Sequence, residues 1–121
     1  MSSKTIDSKV KKLVKRINSL PGIQTTTSCG GHNKPKITHS QVPENQFYIE
    51  FKFTTQPPTK EAWISFQTLA QLTDLDALYD WSINPSKWVK IEVCGVNEQS
   101  EILFLLHGWN TDPNDVLNVI S

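Results

Sequence analysis

The chain has few cysteines and no long apolar run, and each of these absences excludes a class of protein. Cys29 and Cys94 are the only two cysteines in 121 residues, too few for a disulfide framework. No uninterrupted apolar stretch approaches the roughly 20 residues of a membrane-spanning helix. The segment that begins Met1-Ser2-Ser3-Lys4 is amphipathic further on and lacks the apolar centre of a signal peptide. We therefore expect reduced thiols, no membrane partner and a cytoplasmic location.

The formal net charge is zero, but acidic residues are scarce in the first half of the chain and basic residues are scarce in the second half. Residues 1–60 carry ten lysines and arginines against three acidic residues, a net charge of +7, and residues 61–121 carry two against nine, a net charge of −7. Such a division favours a basic face and an acidic face, unless the fold interleaves the two halves. With 37% hydrophobic and 20% charged residues, we expect residues 1–121 to form a single domain with its own core.

Hydrophobic periodicity predicts eight elements in the order α-β-β-α-β-β-β-α. Apolar residues at helical spacing favour a helix over residues 6–20, capped by Asp7 or Thr5 and ended by Pro21-Gly22. Period-two alternation favours a strand over residues 46–54. The other expected elements are strands over 23–28, 78–83, 87–96 and 102–106, a helix over 60–72, and a last helix after Asp112-Pro113. We expect an α+β fold, in which helices pack on one face of a mainly antiparallel sheet.

The strongest candidate for a functional site is the segment Ser28–His32, which follows a strand-like, threonine-rich run. Its two adjacent glycines allow positive φ, so that consecutive backbone N–H groups can converge on an anion. Hydroxyl, thiol and imidazole side chains flank them, and two lysines follow. A phosphate, a nucleotide or a carboxylate would suit this chemistry. The predicted ligand-binding residues are Ser28, Cys29, Gly30, Gly31, His32, Lys34 and Lys36.

Other interpretations of the same residues stay open. Cys29 and His32 have the C-x2-H spacing of a zinc half-site, but a structural zinc site usually has two close pairs, so no metal is predicted. Cys29 beside His32 could also be a nucleophile, although no orienting acid is identifiable. The glycines could instead form only a turn. His39, Cys94 and His107 could complete a zinc set with this pair. Cys94 is expected instead to be a small buried hydrophobe, and His107 a turn residue or a functional one.

A basic surface is expected on the first helix. Its outward positions are nearly free of acids, which suits either solvated charge or contact with nucleic-acid phosphates. The residues concerned are Lys9, Lys11, Lys12, Lys15 and Arg16. Trp109, next to His107, is expected in the core or at an interface, with stacking on a base as the alternative.

Two stretches of the first half resemble a known family. Residues 6–19 followed by Thr25-Thr26-Thr27-Ser28-Cys29-Gly30-Gly31-His32, and then the strand Phe51-Lys52-Phe53, are similar to the wybutosine-synthesis tRNA methyltransferases. The resemblance implies a related fold, a pocket at Ser28–His32, a tRNA partner and S-adenosylmethionine as methyl donor. His32 stands where the family has arginine, and Gly30 where it has serine.

Two functions therefore follow as hypotheses. The first is a small nucleotide- or RNA-associated protein related to a tRNA-modifying methyltransferase. The second is a non-enzymatic binding or protein-interaction module that keeps the fold and uses the pocket for another ligand. The altered motif residues and the acidic second half favour the second hypothesis, and the resemblance and the basic first half favour the first.

Overall fold

Four strands build one antiparallel sheet in the computed structural model, which describes residues 9–31, 42, 45–71 and 88–120. The strands are β1 (Ile23–Cys29), β2 (Gln46–Phe53), β3 (Trp88–Val96) and β4 (Ile102–Trp109). They lie in the order β1-β2-β4-β3, so β2 and β4 are central and β1 and β3 lie at the edges of the described sheet. β3 and β4 form a hairpin, since Val96 pairs with Ile102.

In the described part of the chain, three helices accompany the sheet: α1 (Lys11–Asn18), α2 (Lys60–Ala70) and α3 (Pro113–Ile120). Thr59 caps α2, because its side-chain oxygen accepts a hydrogen bond from the Ala62 N–H at 3.1 Å. Asp112 serves α3 in the same way, accepting from the Asn114 N–H at 2.8 Å. No described helix is long and apolar enough to span a membrane.

The core lies on one face of the sheet, called here the inner face. The alternate β2 residues Phe47, Ile49, Phe51 and Phe53 are all buried and share one apolar cluster with residues of all three helices. Phe66 of α2 packs its ring against three strand phenylalanines, Phe51, Phe53 and Phe104. The structure thus has the predicted α+β architecture, with helices on one face of an antiparallel sheet.

The first helix is shorter than the predicted span of 6–20. α1 begins at Lys11, and Lys9 and Val10 form a turn before it. Val10 is nevertheless fully buried, because the turn directs its side chain into the same core as the helix. Because Val10 is buried like the core-facing residues of α1, the apolar spacing predicted a helix that starts too early. The predicted caps Thr5 and Asp7 lie outside the described residues, as does the predicted strand 78–83.

The last strand is longer than the predicted span of 102–106. β4 continues to Trp109, so of the two interpretations of His107 the turn residue is wrong, and His107 is a strand residue. Gly108 pairs with Phe47 on the inner face, where a Cβ atom would collide with the phenylalanine ring. Glycine is thus present because of this close approach inside the sheet, and the chain turns only at Asn110.

Two further predictions about burial are corrected. Cys94 was expected to be buried but is exposed, because alternation along β3 places it on the face opposite Val89 and Ile91, where its thiol donates to the Glu50 carboxylate. The apolar pattern of the predicted helix 60–72 places Trp63 on its core-facing side, yet half of Trp63 is exposed while its ring packs against Phe53 and Phe66. The side chain of Trp88 and all of Trp81 lie outside the described part of the chain.

Candidate functional site

The glycine motif lies at the end of the edge strand β1. Ser28 and Cys29 are the last two residues of the strand, paired with Ile49 and Tyr48 of β2. Gly30 follows and is buried, and Gly31 has a φ of +98°. Positive φ at one of the two glycines was predicted from the sequence and is confirmed. His32, Lys34, Lys36 and His39 lie outside the described residues.

Cys29 is enclosed by its neighbours in the sheet. Only 3% of the residue is exposed, which suits a small apolar side chain better than an attacking nucleophile. Cys94, the other cysteine, lies on the exposed face of the distant edge strand β3. Among the described residues no group of three or more histidine, cysteine or acidic side chains is placed to hold a metal ion.

A cavity of about 390 Å³ lies beside the motif. Four separate segments of the chain form its wall: the turn before α1, the end of β1, the start of β2, and the connection from β4 to α3. Half of the ten lining residues carry an amide or hydroxyl side chain, four amides and one hydroxyl, and the others are one lysine, one aspartate, a phenylalanine, a proline and a glycine. The lining residues are Lys9, Gly30, Asn45, Gln46, Phe47, Asn110, Thr111, Asp112, Pro113 and Asn114.

Hydrogen bonds hold the rim of the cavity in place. The Asn110 N–H donates to the Asn45 carbonyl at 2.7 Å, and the Asn45 side-chain amide donates to the Asn110 side-chain oxygen at 3.0 Å. Asn110 has a φ of +50°, in the left-handed region that asparagine tolerates better than most residues. The Thr111 hydroxyl donates to the Trp109 carbonyl at 2.8 Å. These bonds pre-organise the wall formed by residues 110 and 111.

The charges around the cavity are nearly balanced. Lys9 is exposed and brings one positive charge to the rim. The start of α3 would attract an anion, but the Asp112 carboxylate already accepts the Asn114 N–H there. Recognition at this place would therefore depend on the amide groups at least as much as on charge.

The basic residues of α1 form a surface that begins at the cavity. Lys11, Lys12 and Lys15 are exposed along the helix, beyond Lys9. Arg16 has a different role, because its Nε donates to the Ile120 carbonyl at 2.9 Å and one terminal nitrogen donates to the Ser19 hydroxyl at 3.0 Å. The arginine thus ties α1 to the end of α3.

A histidine adjoins the cavity from the other face of the sheet, called here the outer face. The His107 Nε2 atom lies 2.9 Å from the Gln46 side-chain oxygen, and Gln46 lines the cavity. Burial lowers the pKa of His107, and the positive charge of Lys90 lowers it further, against the opposing effect of Glu92. A neutral imidazole is therefore favoured beside this amide.

Sequence reasoning singled out residues in two of the four segments that form the cavity wall and missed the other two as parts of a site. It singled out Gly30 and Lys9, which the fold brings together, but neither Asn45 nor the segment 110–114. Asp112-Pro113 marked the start of the last helix, yet no local pattern showed that the chain at this point faces Gly30. Comparisons of the chain with protein-family models, curated proteins and solved structures found no significant match in any of the three.

Proposed function

We propose that the protein binds a nucleotide, either free or within RNA, in the cavity beside Gly30. The observation that carries the proposal is the cavity itself, where the glycine motif meets Lys9 and the amide side chains of Asn45, Gln46, Asn110 and Asn114. Its volume of about 390 Å³ falls within the range usual for small-molecule sites, roughly 300–1,000 Å³.

The chemistry of the wall suits a base better than a bare phosphate. Asparagine and glutamine side chains both donate and accept, as the edges of nucleobases do, and single-stranded RNA is read through such edges. A bare anion at the start of α3 would compete with the Asp112 carboxylate, which already accepts the Asn114 N–H there. An amide-lined cavity beside a lysine therefore favours a ligand with a base and at least one phosphate.

The basic surface of α1 supports an RNA-associated version of this function. Lys9 lies at the rim, and Lys12 and Lys15 follow at intervals of three residues, about 4.5 Å along a helix axis. A nucleotide in the cavity could thus extend into a chain whose phosphates lie along α1. The resemblance to wybutosine-synthesis methyltransferases adds S-adenosylmethionine as a second ligand to test at the same cavity. The second candidate function is a non-enzymatic binding module without methyl transfer.

Binding measurements on single variants test the proposal. A short fluorescent single-stranded RNA, nucleoside monophosphates and S-adenosylmethionine would be titrated at several salt concentrations. RNA affinity should fall with a log–log slope of roughly −0.7 per phosphate contacted. Lys9→Ala should weaken RNA binding about twofold to fivefold, and Lys60→Ala, the same change on α2, should leave it unchanged.

A second variant tests the amide side chains that line the cavity. Asn114→Ala changes an exposed residue of the first turn of α3, so the fold should persist while nucleotide affinity falls. If no nucleotide or RNA binds at low salt, or if Lys9→Ala and Lys60→Ala behave alike, the proposal is wrong. Binding without any methylation of RNA in the presence of S-adenosylmethionine would favour the non-enzymatic module.

A further inference from the structure

We infer that His107 fixes the Gln46 side chain as a hydrogen-bond donor at the cavity, so that the ligand presents a carbonyl oxygen to it. This inference deepens the proposed function and rests on it. Gln46 lines the cavity, and its side-chain oxygen lies 2.9 Å from the His107 Nε2 atom on the outer face. His107 is not one of the described residues that line the cavity, so its effect on a ligand passes through Gln46.

The register of the two central strands brings these side chains together. Tyr48 of β2 pairs with His107 of β4, and Gln46 pairs with Trp109. Gln46 and His107 are therefore diagonal neighbours on the outer face, roughly 7–8 Å apart at the backbone and within reach of long side chains. Gln46 is also the first residue of β2, so its side chain reaches the end of the sheet where the cavity lies.

The atoms in contact fix the direction of this hydrogen bond. The Gln46 side-chain oxygen carries no hydrogen, so the His107 Nε2–H is the donor. Burial lowers the pKa of His107, which favours the neutral imidazole with a single N–H. The geometry therefore requires the tautomer that has its hydrogen on Nε2.

The two ends of the Gln46 amide consequently have different roles. A glutamine that rotates freely offers either its oxygen or its NH2 group to a ligand, and the bond from His107 removes that choice. A carbonyl oxygen, with two lone pairs, suits the NH2 group, whereas an amino group would place donor against donor. Uracil has a carbonyl oxygen where cytosine has an amino group. Uridine monophosphate should therefore bind about twofold to tenfold more tightly than cytidine monophosphate.

The tautomer of His107 is measured without any ligand. Nitrogen and proton NMR of the imidazole ring in the full chain at neutral pH should show its hydrogen on Nε2. Gln46→Met keeps the length of the side chain without the amide and should change the signals of this ring. Gln24→Met, the same change at an exposed position of β1, is the control and should not. A hydrogen on Nδ1 in the native chain overturns the inference.

Affinity for uridine monophosphate tests whether His107 acts through Gln46. Gln46→Met and His107→Phe should each weaken binding about twofold to tenfold in calorimetric titrations. The double variant should bind as weakly as Gln46→Met alone, because removing His107 has no further effect once the amide that it positions is gone. Losses of binding free energy that add in the double variant mean that His107 only supports the fold, and they overturn the inference.

The choice between the two nucleotides tests the donor role of Gln46. Gln46→Glu replaces the donors by acceptor oxygens, so the ratio of uridine to cytidine monophosphate affinity should fall below the native ratio. The added charge repels both phosphates alike and cancels in the ratio, and Gln24→Glu, as the control, should keep the native value.

The outcomes separate this inference from the proposed function. A native chain that binds neither nucleotide overturns the proposed function and this inference with it. A native chain that binds both nucleotides equally well overturns this inference alone, and so does a Gln46→Glu variant with the native ratio.

Discussion

The two faces of the sheet are built by neighbouring residues of the same strands and are stabilised in opposite ways. On the inner face, Phe47, Ile49, Phe51 and Phe53 of β2 are at most 4% exposed, and their contribution comes from removing apolar surface from water. On the outer face, the intervening Glu50 and Lys52 are half-buried and hydrogen-bonded to side chains of other segments. Apolar packing therefore stabilises the inner face. On the outer face, side-chain hydrogen bonds link β2 to other segments of the chain.

The outer bonds cross the sheet from edge to edge. Glu50 accepts from the Thr26 hydroxyl of β1 at 2.6 Å and from the Cys94 thiol of β3 at 3.5 Å. Burial raises the pKa of Cys94, and the bonded Glu50 carboxylate raises it further, which keeps the thiol protonated and donating. Lys52 lies 2.7 Å from Glu101 and joins the basic first half of the chain to the acidic second half.

Truncation of an inner-face phenylalanine should have the largest effect. Phe51 is fully buried and packs against Phe66 and Phe104, with ring centroids 6.3 and 5.5 Å away. We expect Phe51→Ala to lower the free energy of unfolding by about 3–5 kcal/mol, measured by urea denaturation. Val96→Ala, at a position 64% exposed, is the control and should change it by less than about 0.5 kcal/mol. Equal losses for both variants would refute the assignment of the core to this face.

An added methyl group on the inner face should be less harmful but still clear. Gly108→Ala places a Cβ atom against the Phe47 ring, and such overpacking costs typically about 1–3 kcal/mol. Phe47→Leu in the same chain should relieve part of that cost, so the two substitutions should be non-additive in denaturation experiments. Strict additivity would mean that the two residues do not meet.

Titration of the outer face should have the smallest effect. Because the folded-state pKa of His107 is lowered, the folded protein binds this proton less readily than the unfolded chain. Stability should be retained above about pH 6.5 and decline as the pH falls from there towards the folded pKa. His107→Gln should flatten this part of the stability curve, measured by thermal melts between neutral and mildly acidic pH.

Glu101 loses its stabilising contribution at a lower pH than His107 does, and this difference provides the control for that experiment. Hydrogen bonds from Lys52 and Asn97 lower the pKa of Glu101, so its contribution should be lost only below about pH 4.5. Glu101→Gln should leave the His107 window unchanged. A stability curve that is flat from neutral pH down to the Glu101 window in the native chain would contradict the assignment to His107.

The residue pattern within short segments determined which helices and strands form and which face of each is buried. Period-two alternation in residues 46–54 predicted β2 and its buried face, helical spacing predicted α1 and α2, and Asp112-Pro113 marked the start of α3. The glycine pair predicted positive φ at one of its two residues, and Gly31 has it. These predictions succeeded because side-chain periodicity and turn chemistry depend on residues only a few positions apart.

Only the tertiary structure decided what those elements bring together. The strand order β1-β2-β4-β3, the extension of β4 through Gly108 and the bulge between Val93 and Gly95 depend on pairing partners far away in the chain. The cavity joins Lys9 and Gly30 to Asn45 and Asn110, which no local spacing relates. A site assembled from distant segments follows from register and packing, and register is a property of two strands together and not of either one.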